Sequence, residues 1–412
     1  MNSDINDKIK EYLWFGYLQP KKIKQWIISD INSEEYDYMY DSFEDRLNHT
    51  FDDICSKISG KHIVPLSGGW DSRIILGELI NRYNADEIET VTFGTPGQLD
   101  FDIAKYISKK TGIRCNAVNL KEVDFSWDAL EKSLPTCPWT YVPDGHVNRM
   151  IFSNYKDNNV WSGFLGDPVA GSHFLKDSTN NLDKEYHKFT IRQKRTRFEF
   201  IHDEYVPEMP KGIFESDVFS YNEAFDFSIR QASCISPIIF PDGNWNYWKA
   251  VNDTPHKGFF LTPFADINWA NYMLNAPRKL HENQNFYLSM SHKKLGRLME
   301  YKAKQYWGYG MNDKFLPQLA RFGIFARNRA SYVVRNDSIR SGKMNNYIDF
   351  ARSFREDKIW INNIEVARNI LGDKSDFPIE YFDEIVKKHS EFQDRTQEIL
   401  VLLGLALNLN RL

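Results

Sequence analysis

The spacing of apolar residues along this chain changes character twice. From Tyr40 to Ile58, the residues Phe43, Leu47, Phe51, Ile54 and Ile58 recur at helical intervals and predict an amphipathic helix within a helical N-terminal segment, residues 1–60. At His62-Ile63-Val64-Pro65-Leu66 the period gives way to a short apolar run that ends in glycines, the pattern of a strand buried on both faces. A helix from Asp71 to Leu79 follows, with Ile74, Ile75, Leu76 and Leu79 as its apolar face. The alternation continues: a strand from Glu89 to Phe93 stopping at Gly94, a helix from Asp100 to Lys110 closed by Gly112, and a strand from Arg114 to Val118. A helix over Val147 to Tyr155 and a strand from Val160 to Ser162, ending at Gly163, complete the pattern. Strands alternating with helices predict an α/β fold, a parallel sheet with helices on both faces. In such sheets ligands sit beyond the carboxyl ends of the strands. The glycine-bearing segments at 67–69, 94–97 and 163–166 all fall there, so three loops are expected to meet on one rim. This gives an α/β core over 61–172 and a mostly helical part over 173–412, including helices over Ile267 to Leu274 and Phe286 to Tyr306.

Composition narrows the partners more than the fold. Hydrophobic residues make up 42% and charged residues 26%, as in globular proteins, and 15% aromatics can build a large core. A net charge of −4 gives no electrostatic reason to expect nucleic acid. The opening MNSDINDKIKEYLWFGYL lacks the basic start and apolar run of a secretory signal. The run EILVLLGLALNL is shorter than the roughly 20 residues a spanning helix needs, and predicts a buried or interface-forming terminal helix that leaves room for a homo-oligomer. Cys55, Cys115, Cys137 and Cys234 form no C-x-x-C pair and no zinc spacing, which suits free thiols in a cytoplasmic protein. The basic run His187 to Arg197 reads as a solvated helix face or as a lid over an acidic substrate.

The chemistry sits in the loops. In Ser67-Gly68-Gly69-Trp70-Asp71-Ser72 the glycines let the backbone come close to an anion, and the following helix aims its positive end at the same point. Ser67 and Ser72 add hydroxyls. Asp71 cannot bind phosphate directly but can hold Mg²⁺, so the loop fits a metal-bound polyphosphate. It is neither a Walker loop, which needs a lysine, nor a G-x-G-x-x-G fingerprint. Thr92-Phe93-Gly94-Thr95-Pro96-Gly97-Gln98-Leu99-Asp100 places Asp100 at a helix start, as a cap or near phosphates. Ser162-Gly163-Phe164-Leu165-Gly166-Asp167 supplies a second carboxylate that could share one Mg²⁺ with Asp71.

These three motifs, followed by Leu261-Thr262-Pro263-Phe264-Ala265-Asp266, resemble in order the synthetase domain of asparagine synthetase and its relatives, among them β-lactam-forming synthetases and lasso-peptide cyclases. All are N-type ATP pyrophosphatases of the PP-loop superfamily. The resemblance covers most of residues 10–325, and even Tyr12-Leu13-Trp14-Phe15-Gly16-Tyr17 is similar to the segment that opens that domain. It implies an adenine nucleotide alpha hydrolase-like sheet of five strands. It implies that Ser67, Gly68, Gly69, Asp71 and Ser72 bind pyrophosphate and Mg²⁺, with Asp71 and Asp167 as the catalytic, metal-holding carboxylates and Asp100 near the phosphates. Phe93 and Gly94 would line the adenine site, with Ser162 and Gly163 nearby.

The sequence also departs from that family. Residue 2 is Asn and no glutaminase segment is recognisable, so nitrogen is expected from ammonia, a separate glutaminase or an amine. Phe164 stands where the family usually has glutamate, and Phe259 and Leu261 replace a Glu-x-Arg before the P-F-x-D motif. Trp70 and Arg73 occupy positions that are more often small or aliphatic. The lysine that should complete the pyrophosphate site has several candidates: Lys302, Lys304 and Lys314, with Arg321 as a further cation. The expected function is an ATP-dependent, AMP-forming carbon–nitrogen ligase that adenylates a small-molecule or peptide carboxylate. The alternatives are a nucleoside- or tRNA-modifying enzyme and a non-catalytic ATP-binding subunit.

Overall fold

The computed structural model describes residues 3–20, 36–134, 139, 142–155, 157–173, 177, 179, 181–196, 198, 207–211, 225, 229, 260–313, 315–335, 348–375 and 377–411. Its strands are β1 (His62–Pro65), β2 (Ile88–Gly94), β3 (Arg114–Asn119), β4 (Asn159–Trp161) and β5 (Phe260–Leu261). All pair in parallel, in the spatial order β3-β2-β1-β4-β5. The chain moves outward from β1 through β2 to β3 and then returns to the other side of β1, so direction reverses between β1 and β4. That switch point is where an open α/β sheet leaves a crevice. The two residues of β5 are too short to carry a period, and nothing in their spacing announces a strand.

β1, β2 and β4 are buried on both faces, and alternate residues feed two separate cores, whereas the edge strand β3 is half-buried to exposed. Val64, Ile88, Trp161 and Leu261 face one core, while Ile63, Val91 and Val160 face the other. The first core is closed by α2 (Tyr36–Cys55), α3 (Asp71–Ile80), α4 (Leu99–Thr111) and, further along, α7 (Gly166–Ala170). The second contains α1 (Ser3–Phe15), α5 (Trp127–Ser133) and α6 (Val142–Phe152). After α8 (Leu182–Gln193), the helices α9 (Ile267–Leu274), α10 (Arg278–His281), α11 (Asn285–Leu295) and α12 (Arg297–Glu300) belong to the first core. Beyond α13 (Leu316–Arg335), the second core takes α14 (Phe350–Glu356), α15 (Lys358–Lys374), α16 (Ile379–Ser390) and α17 (Thr396–Leu409).

Three boundaries differ from the periodicity, the first being α2, which spans Tyr36–Cys55 and leaves Ile58 beyond its end. The helix expected over Val147 to Tyr155 begins five residues earlier, at Val142, and ends at Phe152 in a 3₁₀ turn over Ser153–Tyr155. The single helix expected from Phe286 to Tyr306 is broken at Gly296, whose backbone turns to φ 50° and ψ −121°. The chain beyond α12 is therefore extended at Ala303 before a 3₁₀ turn over Lys304–Tyr306. The apolar C-terminal run is α17, with every residue from Glu398 to Leu409 buried. Among the described residues no helix is long and apolar enough to cross a membrane.

Candidate active site

The loop after β1 is braced from within. Ser67 N donates to Ser72 Oγ at 3.2 Å, Gly69 N donates to Ser67 Oγ at 3.2 Å, and Gly68 N donates to Asp100 Oδ1 at 2.9 Å. These three amides therefore hold the loop in shape. Groups available to an anion are the first-turn amides of α3, which have no intrahelical acceptor, and the serine hydroxyls.

Asp71 opens α3 and is buried beside Asp167, the second residue of α7. Burial first, and the neighbouring Asp167 carboxylate second, push the Asp71 carboxyl well above the usual range, and a 3.0 Å hydrogen bond from Tyr287 Oη offsets part of this. Burial likewise raises the Tyr287 phenol. The loop from β4 to α7 is shaped around Asp71. A Cβ on Gly166 would lie 2.5 and 2.7 Å from the two Asp71 carboxylate oxygens, and one on Gly163 would lie 3.0 Å from Asp71 Cβ. Between them Leu165 holds φ at 69°, a conformation that disfavours a side chain by about 1–3 kcal/mol. Two close carboxylates, with Tyr287 as the only side-chain hydrogen-bond donor on Asp71 among the described residues, make an oxygen donor set with unbalanced negative charge. This suits Mg²⁺, which usually takes one or two protein carboxylates and completes its shell with phosphate and water. Among the described residues no group of three or more His, Cys, Asp or Glu is gathered for a metal.

Asp100 is not a helix cap. Gln98 holds the N-cap position of α4, and the Asp100 carboxylate instead bridges Gly68 N and Lys304 Nζ, the latter at 2.5 Å. The Lys304 backbone completes the link, its N–H donating to Gly68 O at 3.0 Å. Of the cations left open by the sequence, Lys304 is the one at the loop. Lys302 lays its ammonium over the Tyr106 ring at 5.1 Å, Arg321 is exposed on α13, and Lys314 lies outside the described residues.

The segment leading to Lys304 is fixed by Arg73. This guanidinium, fully buried, donates to Leu298 O at 3.5 Å, Tyr301 O at 2.9 Å and Lys302 O at 2.5 Å. Trp70 packs under it at 4.6 Å and meets the Tyr306 ring edge-on. The residues that looked anomalous in the loop thus carry the segment that presents Lys304.

A cavity of about 440 Å³ opens over the carboxyl ends of the strands. Ser67, Gly69, Asp71, Ser72, Phe93, Asp100, Ser162, Gly163 and Asp167 line it, together with Lys304. Gly68 lies behind the wall, its amide and carbonyl both engaged by Asp100 and Lys304, and Gly94 ends β2 outside the lining. Sequence reasoning missed Asp144, Asn148 and Phe152, which lie at four-residue spacing along α6 and all face the cavity, as well as Gln305. Phe152 meets Phe93 edge-on at 6.1 Å and Phe260 at 5.3 Å, giving an aromatic wall from β2, α6 and β5. Phe164 is also part of the lining, whereas Phe259 lies outside the described residues.

Other candidates stand apart. In the basic run Lys188 pairs with Glu185 and Asp177, Arg192 donates to His173 O, and Lys194 covers the Trp14 ring. No described residue of that run lines the cavity, and Arg197 is outside the described residues. Cys55 and Cys115 are free thiols away from the cavity, and Cys137 and Cys234 are outside the described residues. Comparison of the chain with protein-family models and with curated proteins finds no match.

Proposed function

We propose that this chain is an ATP-dependent, AMP-forming carbon–nitrogen ligase: it adenylates a substrate carboxylate, releases pyrophosphate and transfers the acyl group to ammonia or an amine. The observation that carries this reading is the meeting, in one cavity, of the Ser67–Ser72 loop, the Asp71–Asp167 pair and the distant Lys304. Asp71 and Asp167 would hold Mg²⁺, which neutralises charge on the leaving pyrophosphate. Lys304, the serine hydroxyls and the first-turn amides of α3 stabilise the same developing charge, and their fixed positions avoid reorganisation at the moment of reaction.

Charge makes the reading testable. Among the described residues the ionisable groups lining the cavity are Asp71, Asp100, Asp144, Asp167 and Lys304, a net negative set that by itself repels a polyphosphate. ATP titrated calorimetrically should bind in the presence of Mg²⁺ and lose at least about tenfold in affinity in EDTA. Asp71→Ala and Asp167→Ala should each lower pyrophosphate release, screened against a carboxylate panel with and without ammonia, by about 10²-fold or more. Near-full turnover in either variant would remove the metal assignment. ATP binding by the wild type without pyrophosphate release on any carboxylate would favour a nucleotide sensor, the reading that Phe164 in the cavity wall supports.

A further inference from the structure

Resting on that ligase reading, we propose that the far end of the cavity is an amine subsite, in which Asp144 binds the ammonium group of the nucleophile and accepts its proton, with Phe152 and Phe260 as the apolar wall around it. Asp144, Asn148 and Phe152 share one face of α6, and that face looks into the same cavity as the loop after β1. Among the described residues nothing donates a hydrogen bond to the Asp144 carboxylate. Its nearest compensation is the Arg195 charge acting through space, from a guanidinium that does not line the cavity.

Charge selects the occupant. Among the described residues Lys304 is the only cation of the lining, and it is already paired with Asp100. An anionic group brought beside Asp144 would meet a carboxylate that Arg195 offsets only through space, and a neutral base such as adenine would desolvate that carboxylate without adding a counter-charge. An ammonium group supplies the missing charge and three donors, and the aromatic faces nearby favour a cation further.

The step balances. The ammonium nitrogen gives one proton to the Asp144 carboxylate, and its freed electron pair forms the new bond to the acyl carbon of the acyl-adenylate. The bond from that carbon to the AMP oxygen breaks, and AMP leaves with the electron pair. The second proton lost from nitrogen passes to solvent. Burial lifts the Asp144 carboxyl to about 6, with Arg195 restraining the rise, so the group is mainly ionised at pH 7–8 and is a stronger base than an ordinary aspartate. Among the described residues the other ionisable groups of the cavity are Asp71, Asp100, Asp167 and Lys304. This places a proton acceptor on α6 in a chain that has Phe164 on the loop after β4.

The test uses benzylammonium as probe and benzyl alcohol as its uncharged counterpart, with the full-length protein and Mg²⁺-ATP present. The wild type should bind benzylammonium at least tenfold more tightly than the alcohol, and Asp144→Asn should abolish that preference. Because Asp144 has no hydrogen-bond donor to lose among the described residues, this variant should fold, which its thermal midpoint checks directly. Equal binding of the two probes by the wild type, or an unchanged preference in Asp144→Asn, overturns the proposal. With a carboxylate that supports pyrophosphate release, Asp144→Asn should raise the amine KM, lower amide formation about 10²-fold or more, and lose the acidic limb of the pH profile near 6, while the ATP KM moves less than threefold. A loss confined to the ATP KM would assign Asp144 to the nucleotide and overturn the amine subsite. If no carboxylate supports turnover, the ligase reading fails by itself and the two probes still decide whether the subsite takes a cation.

Discussion

His62 shows how one side chain can tie sheet stability to pH. It opens β1, is 1% exposed, accepts a 3.0 Å hydrogen bond at Nδ1 from Trp161 Nε1 and lies against the Tyr83 ring. Burial pulls its pKa down from 6.5 to about 4, against the weaker opposing effect of Glu87. The unfolded chain therefore binds a proton that the folded chain refuses between those values. The stabilisation is complete above pH 6.5 and is lost as pH falls toward 4, by roughly 3 kcal/mol at most. Denaturant midpoints at pH 7.5 and 4.5 should fall further for the wild type than for His62→Gln, and equal slopes would show that His62 is not the group responsible. Residue-scale signals of this kind differ in how well sequence carries them. Ser67, Gly69, Asp71 and Ser72 could be singled out because a glycine turn between strand and helix occupies one contiguous stretch, and all four line the cavity. Asp144 could not, because Val142 to Phe152 has the composition of an ordinary helix and only the fold turns Asp144, Asn148 and Phe152 toward the cavity.

Between elements, the notable coupling runs from α3 to the segment after α12. Arg73 holds three carbonyls of residues 298–302, and two residues beyond that grip Lys304 reaches Asp100 and Gly68. Arg73→Leu would take the donor from three half-buried carbonyls and remove a buried charge, and is expected to cost about 2–4 kcal/mol of stability. Under the proposed ligase reading it should also weaken pyrophosphate binding to nearly the extent that Lys304→Ala does, on the order of tenfold or more. If Arg73 acts through Lys304, the double variant should bind pyrophosphate no more weakly than Lys304→Ala alone; additive losses would separate the two roles. Arg73→Lys, which keeps the charge but cannot span three acceptors, serves if Arg73→Leu does not fold. β1 was legible as an apolar run stopped at glycines, and β2 and β4 as short β-branched or aromatic runs that lead into Gly94 and Gly163. The choice of Lys304 was not, since its partner Asp100 lies 204 residues away in the chain. Nor was β5, whose two residues become a strand only by pairing with Val160 and Trp161.

Across the whole molecule, the sheet divides two cores, and the second joins both ends of the described chain to the strands that carry the site. Ile63 and Val91, next to the loops after β1 and β2, share it with Tyr12 to Phe15 of α1 and with nearly the whole of α17. The helices α1 and α17 meet where Gly404 faces Tyr12, and a Cβ there would drive into the Tyr12 hydroxyl. Tyr12 is 1% exposed and has no room to withdraw. Gly404→Val is therefore expected to overpack this contact and destabilise the fold by about 1–3 kcal/mol, although it lies far along the chain from every cavity residue. The paired variant Gly404→Val/Tyr12→Phe removes the hydroxyl that the new side chain strikes and should recover part of the loss. Because the core is continuous with the sheet, the loss should appear as one unfolding transition, with intrinsic fluorescence and ATP protection of the cavity falling together. A separate early transition of the C-terminal helices, with ATP protection retained through it, would show that the second core is not a cooperative part of the site's scaffold.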